Sequence, residues 1–260
     1  MASVGYVGKC IYCGSIEPPL TDEHTISEGL GGTEYLQAAT CEVCRVETGR
    51  AENAIGVSLE PLLRSIGILG KKKRIKKVRV KGRTDKRLFS QDLNPSEIPI
   101  LALFPIFAEP PRFMLGNESS KNITFETHVM FNAEKLAHYG AAGSFRQASP
   151  DQFAKMIAKI AHATAVAKFG LGSFEPLLTD FIRGIDERWG YWVGKCPESP
   201  EPYPGNKAVS VQIYLQGPPH AGILLGRVRL FEVLGGPIYD TPIGRLLIDL
   251  SEVPKPAASE

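Results

Sequence analysis

Four of the five cysteines form two C-x-x-C pairs, Cys10/Cys13 and Cys41/Cys44, in the first fifth of the chain. Disulfides are disfavoured in a reducing cytosol, so two C-x-x-C pairs indicate a metal site, and four thiolates at this spacing are typical of tetrahedral zinc. Four protein ligands leave no open coordination position, which predicts a structural zinc ion. Gly14 follows the first pair and permits the tight turn that such a pair needs.

Between the two cysteine pairs lie side chains that could activate water. Glu23 and His24 are adjacent, and a histidine with an unperturbed pKa of about 6.5 can take up a proton at neutral pH. Asp22 is a second carboxylate, but neighbouring strand residues point to opposite faces, so Asp22 and Glu23 are not expected to share a pocket. A lone histidine at a strand end can be purely structural; the neighbouring glutamate and the framing cysteines favour a functional role.

The elements around these residues can be predicted from local patterns. Residues 20–26 alternate as a strand, the glycine-rich residues 29–32 form a loop, and residues 35–39 form a returning strand. Thr40 is a suitable N-cap for a helix that begins within the second cysteine pair. Zinc would hold strand, loop, strand and helix together, with the Glu-His pair beside the first turns of the helix.

In these features the chain resembles the HNH, or ββα-metal, endonucleases in their zinc-stapled form. The resemblance covers residues 8–55, about a fifth of the chain, and consists of Cys10/Cys13, Glu23-His24-Thr25-Ile26, Gly31-Gly32 and Cys41/Cys44. It implies a DNA endonuclease in which His24 is the general base that deprotonates the attacking water. It also implies that Glu23, which directly precedes the histidine as the family's carboxylate does, helps to hold Mg²⁺ or Mn²⁺ against the scissile phosphate. Zinc and the catalytic cation would then be different ions at different sites.

One position departs from the family pattern. The family commonly has Asn or His directly after the last cysteine, or nearby on the helix, as a further metal ligand, and this chain has Arg45. A guanidinium cannot ligate a cation, although it can clamp a phosphate. Glu47, Glu52 and Asn53 are candidate substitutes, but the last two lie about two helical turns from position 45. The alternative prediction is therefore a catalytically inactive zinc-ribbon protein that binds nucleic acid.

Positive charge is concentrated in residues 71–87, which we call the basic segment. It holds eleven Lys or Arg and one Asp in a chain whose formal net charge is +2, so the remainder is acidic. Such a segment is typical of contact with a polyanion, DNA here and RNA as an alternative, whereas a solvated linker is the other interpretation. It also argues against a third possibility, a zinc module that binds only protein. The candidate nucleic-acid-binding residues are Lys71, Lys72, Lys73, Arg74, Lys76, Lys77, Arg79, Lys81 and Arg83.

The predicted fold class is α+β, in three parts. Residues 1–70 form a small zinc-stapled ββα domain, residues 71–90 a basic stripe or linker, and residues 91–260 a larger α+β domain of unknown role, which could mediate homodimerisation or bind a partner protein. No apolar run reaches the roughly 18 residues of a membrane span, and the chain does not start with a secretory signal. We therefore expect a cytoplasmic protein without a membrane partner.

Further elements are predicted outside the cysteine region. Residues 51–69 have helical spacing that Gly56 and Pro61 would interrupt. The clearest helix begins after Ser149, with Gln152 completing a capping box, and ends at Gly170. His162 lies mainly off its apolar stripe. The remaining predicted elements are a short helix over residues 175–182 and strands over residues 122–131, 209–216, 223–234 and 238–248.

Overall fold

The computed structural model describes residues 1–68, 77–83, 88–94, 97–119, 124–139, 149–197, 208–217, 222–231 and 234–247. These residues contain both helices and sheets, which confirms the α+β class. The helices are α1 Glu42–Ser65, α2 Ala133–Tyr139, α3 Pro150–Phe169, α4 Thr179–Ile182 and α5 Trp189–Trp192. The strands are β1 Ala2–Tyr6, β2 Leu20–His24, β3 Glu34–Cys41, β4 Val78–Arg83, β5 Leu88–Leu93, β6 Ile100–Phe107, β7 Phe125–Phe131, β8 Phe174–Pro176, β9 Gly194–Lys195, β10 Val209–Gln216, β11 Ile223–Leu230 and β12 Ile238–Leu246.

The amino-terminal sheet has the strand order β1-β3-β2, with β1 parallel and β2 antiparallel to β3. In the β2–β3 register Glu23 lies opposite Leu36 and His24 lies opposite Tyr35. Helix α1 follows β3 directly, with Cys41 as its N-cap residue, so the predicted N-cap, Thr40, is wrong and lies in β3. The predicted order of strand, loop, strand and helix is thus confirmed.

The glycine pair between β2 and β3 is required by the backbone. Gly31 has a φ of 85°, in the left-handed region that favours glycine. A Cβ atom on Gly32 would lie 1.8 Å from the carbonyl oxygen of Ile26, which no side chain can tolerate. Only glycine therefore lets the loop fold back tightly enough to deliver β3 beside His24.

Helix α1 is continuous, so the predicted interruption at Gly56 and Pro61 is wrong. Pro61 lies inside the helix, where it removes one backbone hydrogen bond to the carbonyl of Val57, a residue on the exposed side. Ile55, Leu59, Leu62 and Leu63 are buried on the opposite side. Burial of this apolar face on both sides of Pro61 stabilises the helix by more than the missing hydrogen bond costs.

Helix α3 packs against α1 and against strands β10, β11 and β12 of the carboxy-terminal sheet. That sheet has the order β10-β11-β12-β8, with β9 also paired to β12. The contact is close, since a Cβ atom on Gly226 of β11 would lie 2.7 Å from the Cβ of Ala161. The predicted bounds of α3 are confirmed, but the capping box is not, because the Gln152 side-chain amide donates to Asp151 Oδ2 at 3.1 Å.

Of the other predicted elements, one agrees with the structure in its bounds and others differ from it. Strand β10 has the predicted bounds, whereas residues 175–182 begin as strand β8 and become helical only in α4. Buried apolar side chains of α1, of α3 and of the carboxy-terminal sheet belong to one continuous cluster. The boundaries at residues 70 and 90 stay a prediction. Within the part of the chain that the structure describes, no helix is both long and apolar enough to cross a membrane.

Candidate metal centre and the His24 site

The four cysteines of the two C-x-x-C pairs come together at the start of α1. Their sulfur atoms all lie within 4.8 Å of one another, and Cys13 Sγ is 3.6 Å from Cys41 Sγ. A tetrahedral zinc ion with Zn–S bonds of about 2.3 Å requires sulfur–sulfur distances of about 3.8 Å. The four thiols could therefore hold a metal ion such as zinc with little movement.

Each pair is held by its own local structure. The N–H of Cys10 donates to the carbonyl of Ser15, and the N–H of Gly14 donates to the carbonyl of Cys10 at 2.9 Å. Gly14 has a φ of 74°, as the tight turn predicted after the first pair requires. Cys41 ends β3 and Cys44 lies in the first turn of α1, so the strand-to-helix junction sets the geometry of the second pair.

Metal binding at this centre must be coupled to proton release. Burial raises the pKa values of the Cys10 and Cys44 thiols, which therefore stay protonated at neutral pH without a metal. The ligand form of cysteine is the thiolate. A metal ion must displace these protons, so its affinity should rise with pH.

The first cysteine pair also contacts α3. The ring of Tyr12 lies 5.6 Å from that of His162, centroid to centroid, and His162 Nε2 is 3.0 Å from the carbonyl oxygen of Ile11. His162 is completely buried, so its predicted position off the apolar stripe is wrong. Burial lowers the pKa of His162 to about 4, which leaves the ring neutral and lets Nε2–H donate to the Ile11 carbonyl.

His24 lies at the end of β2 and is partly exposed. Its ring centroid is 6.0 Å from that of Tyr35 on β3. Its Nδ1 atom is buried and has no hydrogen-bond partner among the described residues. A buried nitrogen without a partner costs about 1–3 kcal/mol, and in folded proteins such atoms are usually satisfied by ordered water or a ligand. An ordered water molecule is therefore the expected partner of this nitrogen.

Glu23 is buried beneath the same strand end, and its carboxylate is fully engaged by the protein. Thr40 Oγ1 donates to Oε2 at 2.8 Å, and the Lys159 ammonium lies 2.7 Å from Oε1. Asp22 is exposed and accepts a hydrogen bond from the N–H of Ala38. The prediction that Asp22 and Glu23 point to opposite faces is thus confirmed.

Lys159 of α3 is the residue in this pocket that sequence reasoning missed. Its side chain is 2% exposed, and its ammonium also lies 2.8 Å from Glu52 Oε1 and donates to the carbonyl oxygen of His24. Burial opposes the charge, but Glu23 and Glu52 outweigh it and raise the pKa of Lys159, so the ammonium stays charged. The signal was present in the sequence: residues 157–167 are otherwise uncharged apart from a histidine, and a single lysine in such a stretch is buried with its partners.

Arg45 and Glu47 lie apart from this pocket. The Arg45 guanidinium forms two hydrogen bonds with the carboxylate of Glu42, one turn earlier on α1, and both side chains are more than half exposed. Glu47 pairs with Arg50 and lies 3.5 Å from the Lys155 ammonium. Glu52 does reach the pocket of Glu23, although two helical turns separate it from position 45.

The divalent cation that the resemblance implies does not fit these residues. Glu23 is already bound by a hydroxyl and an ammonium, and Arg45 offers no ligand atom. Among the described residues, only the four cysteines form a group of three or more His, Cys, Asp or Glu side chains close enough to hold a metal ion. No chemical step is therefore assigned to Mg²⁺ or Mn²⁺ at Glu23.

The basic segment is described only in part. Lys71, Lys72, Lys73, Arg74 and Lys76 lie outside the described residues. Lys77 is exposed, and Arg79 of β4 is exposed and paired with Asp92 of β5, with Nη2 2.9 Å from Oδ2. Lys81 and Arg83 lie on β4, which pairs with β5 as an antiparallel hairpin. The segment thus includes an ordered strand, as its interspersed apolar residues predicted.

Comparison with known proteins assigns the chain to no family. It matches no model of a protein family, no curated protein and no solved structure. Its function has to be inferred from its own residues and their geometry.

Proposed function

We propose that the protein is an HNH-type endonuclease that hydrolyses phosphodiester bonds of DNA, with His24 as its general base. The observation that carries the proposal is the position of His24: at the end of β2, beside β3 and the cysteine-clasped start of α1, with a buried Nδ1 that no described residue satisfies. In this proposal the first 70 residues are a small ββα domain, and the ion at the four cysteines is structural zinc.

The chemistry that His24 can supply is general-base catalysis. The imidazole takes a proton from a water molecule while the water oxygen forms a bond to phosphorus and the bond to the leaving deoxyribose oxygen breaks. The leaving oxygen is protonated by solvent, and the imidazolium then returns its proton to solvent. Arg45 is suited to contact another phosphate of the DNA backbone, outside the His24 pocket, since an exposed ion pair such as that with Glu42 exchanges its partner readily.

The test is a plasmid-nicking assay with zinc-loaded full-length protein, comparing the wild type with His24→Ala. We expect the wild type to nick supercoiled DNA and the variant to lose at least about 100-fold in rate, the lower end of what a general base contributes. Parallel reactions with Mg²⁺, with Mn²⁺ and with neither show whether a second metal ion takes part.

The matched control is His128→Ala, which removes a partly buried histidine from β7, outside the amino-terminal sheet. This variant should nick like the wild type. Zinc content and thermal stability are measured on all three proteins, so that a misfolded variant is recognised. Equal nicking by wild type and His24→Ala, or none by folded wild type, would rule out His24-dependent hydrolysis.

A second function, binding nucleic acid without cleavage, is favoured by a specific observation. Glu23 is neutralised by Lys159, and the position of the family's further metal ligand is occupied by Arg45. In that case neither wild type nor His24→Ala would cut, and both would retard DNA in a gel with an affinity that falls steeply with salt. Reversing the charge of Lys77 and Arg79 together should weaken such binding and flatten its salt dependence.

A further inference from the structure

Three oxygen atoms from two elements, strand β2 and helix α1, surround the Lys159 ammonium. Glu23 Oε1 of β2 lies at 2.7 Å, Glu52 Oε1 of α1 at 2.8 Å, and the carbonyl oxygen of His24 accepts a further hydrogen bond. Carboxylates and carbonyls are also the ligands of hard divalent cations. The pocket therefore has the ligand atoms of a cation site, and the cation that occupies it is the ammonium of Lys159.

The charges in the pocket favour a cation as well. Two carboxylates, those of Glu23 and Glu52, face one ammonium there. Removing the ammonium would leave two negative charges and no described cation at ion-pair distance from Glu23.

We propose that Lys159 is a built-in substitute for a divalent ion between Glu23 and Glu52, so that Mg²⁺ or Mn²⁺ binds there only when the lysine side chain is removed. The inference goes beyond the proposed endonuclease function, because it concerns which cation occupies the pocket whether or not DNA is cut. It also gives a reason why Glu23 does not bind a catalytic metal ion: the Lys159 ammonium occupies the position of that ion.

The geometry sets the requirement for such replacement. The ammonium nitrogen is 2.7–2.8 Å from the two carboxylate oxygens, whereas Mg²⁺ needs about 2.0–2.1 Å. Each carboxylate oxygen must therefore move about 0.6–0.8 Å closer to the position of the cation. Glu52 is the partner with room to move, since its side chain is 27% exposed while that of Glu23 is 7% exposed.

The experiment measures Mn²⁺ binding to zinc-saturated full-length protein by electron paramagnetic resonance of free Mn²⁺. Mn²⁺ is the weakest competitor of the first-row divalent ions at thiolates, so it leaves the cysteine site to zinc. We expect no Mn²⁺ site tighter than about 1 mM in the wild type, and one site at least tenfold tighter in Lys159→Ala. Adding Glu52→Gln to Lys159→Ala should abolish that site.

Lys155→Ala is the matched control. Lys155 lies one turn earlier on α3, and its ammonium is also close to a glutamate of α1, Glu47. Among the described residues, however, Lys155 forms an ion pair with no second carboxylate. This variant should bind no more Mn²⁺ than the wild type. A gain equal to that of Lys159→Ala would mean that loss of any α3 lysine creates weak cation binding, which would overturn the proposal.

Two further results decide the case whether or not Lys159→Ala folds. If the wild type itself binds one Mn²⁺ ion that Glu52→Gln removes, the ammonium does not exclude a divalent ion and the proposal fails. If Lys159→Ala is unfolded without Mn²⁺, the ion is expected to restore its thermal transition, and failure to do so counts against the proposal. These measurements do not depend on DNA cleavage, so the endonuclease proposal can fail separately.

Discussion

At the scale of single residues, α3 carries two buried basic side chains one turn apart, and the two differ in charge state. Lys159 keeps its charge because two carboxylates and a carbonyl oxygen surround it. His162 has a neutral carbonyl as its hydrogen-bond partner, so burial lowers its pKa to about 4 and the ring stays uncharged. Both side chains contact the segment that carries the candidate site, one at His24 and the other at Ile11.

The state of His162 predicts how stability depends on pH. Its pKa falls from the ordinary 6.5 to about 4 on folding, so between these values the unfolded chain binds more protons than the folded protein. The stability contributed by the neutral ring is therefore complete above pH 6.5 and is lost as the pH falls towards 4. The loss is on the order of 3 kcal/mol in the free energy of unfolding.

The variant His162→Gln isolates this effect from other acid-induced changes. Its side-chain amide can still donate to the carbonyl of Ile11, but it does not titrate. Urea unfolding of zinc-loaded protein at several pH values between 7 and 4 should show a shallower decline for the variant than for the wild type. Parallel curves for the two proteins would show that His162 does not titrate differently in the folded state.

At the scale of elements, the turn between β2 and β3 sets the position of His24. Gly32→Ala would place a methyl group 1.8 Å from the carbonyl oxygen of Ile26, so the backbone of the turn must move. We expect a loss of about 3 kcal/mol in stability, at the upper end for steric overpacking, together with loss of any His24-dependent nicking. Thermal unfolding and the plasmid assay measure the two effects.

Gly29→Ala is the control for the turn. It lies in the same loop, has an ordinary φ, and a Cβ there would meet no atom within 4 Å. Its stability should be close to that of the wild type or slightly higher, since alanine reduces the conformational freedom of the unfolded chain. Similar losses in the two variants would mean that the loop responds to any added side chain and that the close approach of Gly32 is not the cause.

The elements show which features local sequence can predict. The strands and the glycine turn around His24 were predicted correctly because they follow from local signals, namely the alternation of polar and apolar residues and the glycine pair. The bounds of α3 and β10 were likewise set by residues close in sequence. The predicted break in α1 was wrong because burial of Ile55, Leu59 and Leu62 against the rest of the protein outweighs one hydrogen bond lost at Pro61. Propensity alone does not contain that packing energy.

At the scale of the whole molecule, the candidate site depends on contacts between residues far apart in sequence. The partner of Glu23 is Lys159, 136 residues later, and no local pattern relates the two. The sequence therefore allowed the cysteine cluster and His24 to be proposed, but it left Glu23 with the metal role that the resemblance implied. The contact with α3 gives Glu23 a different partner.

The same long-range contacts predict what loss of the proposed zinc ion does. Ile11 and Tyr12 lie between the first two cysteines and belong to the core cluster that includes α3. Removing zinc by chelation, or its ligand by Cys41→Ser, should therefore loosen α3 near His162 as well as the amino-terminal sheet. A destabilisation of about 5 kcal/mol would lower Tm by about 10–20 °C in a chain of this size.

Hydrogen–deuterium exchange can locate this effect along the chain. We expect one zinc ion per wild-type chain, and in Cys41→Ser faster exchange both in residues 1–50 and in the stretch of α3 around His162. Cys196→Ser is the control, because Cys196 lies outside the four-cysteine group and its replacement should leave zinc content and exchange unchanged. Faster exchange confined to residues 1–50 would show that the metal centre folds independently of α3. In that case residues 1–50 would fold on their own, and Lys159 and His162 would only attach α3 to them without adding to their stability.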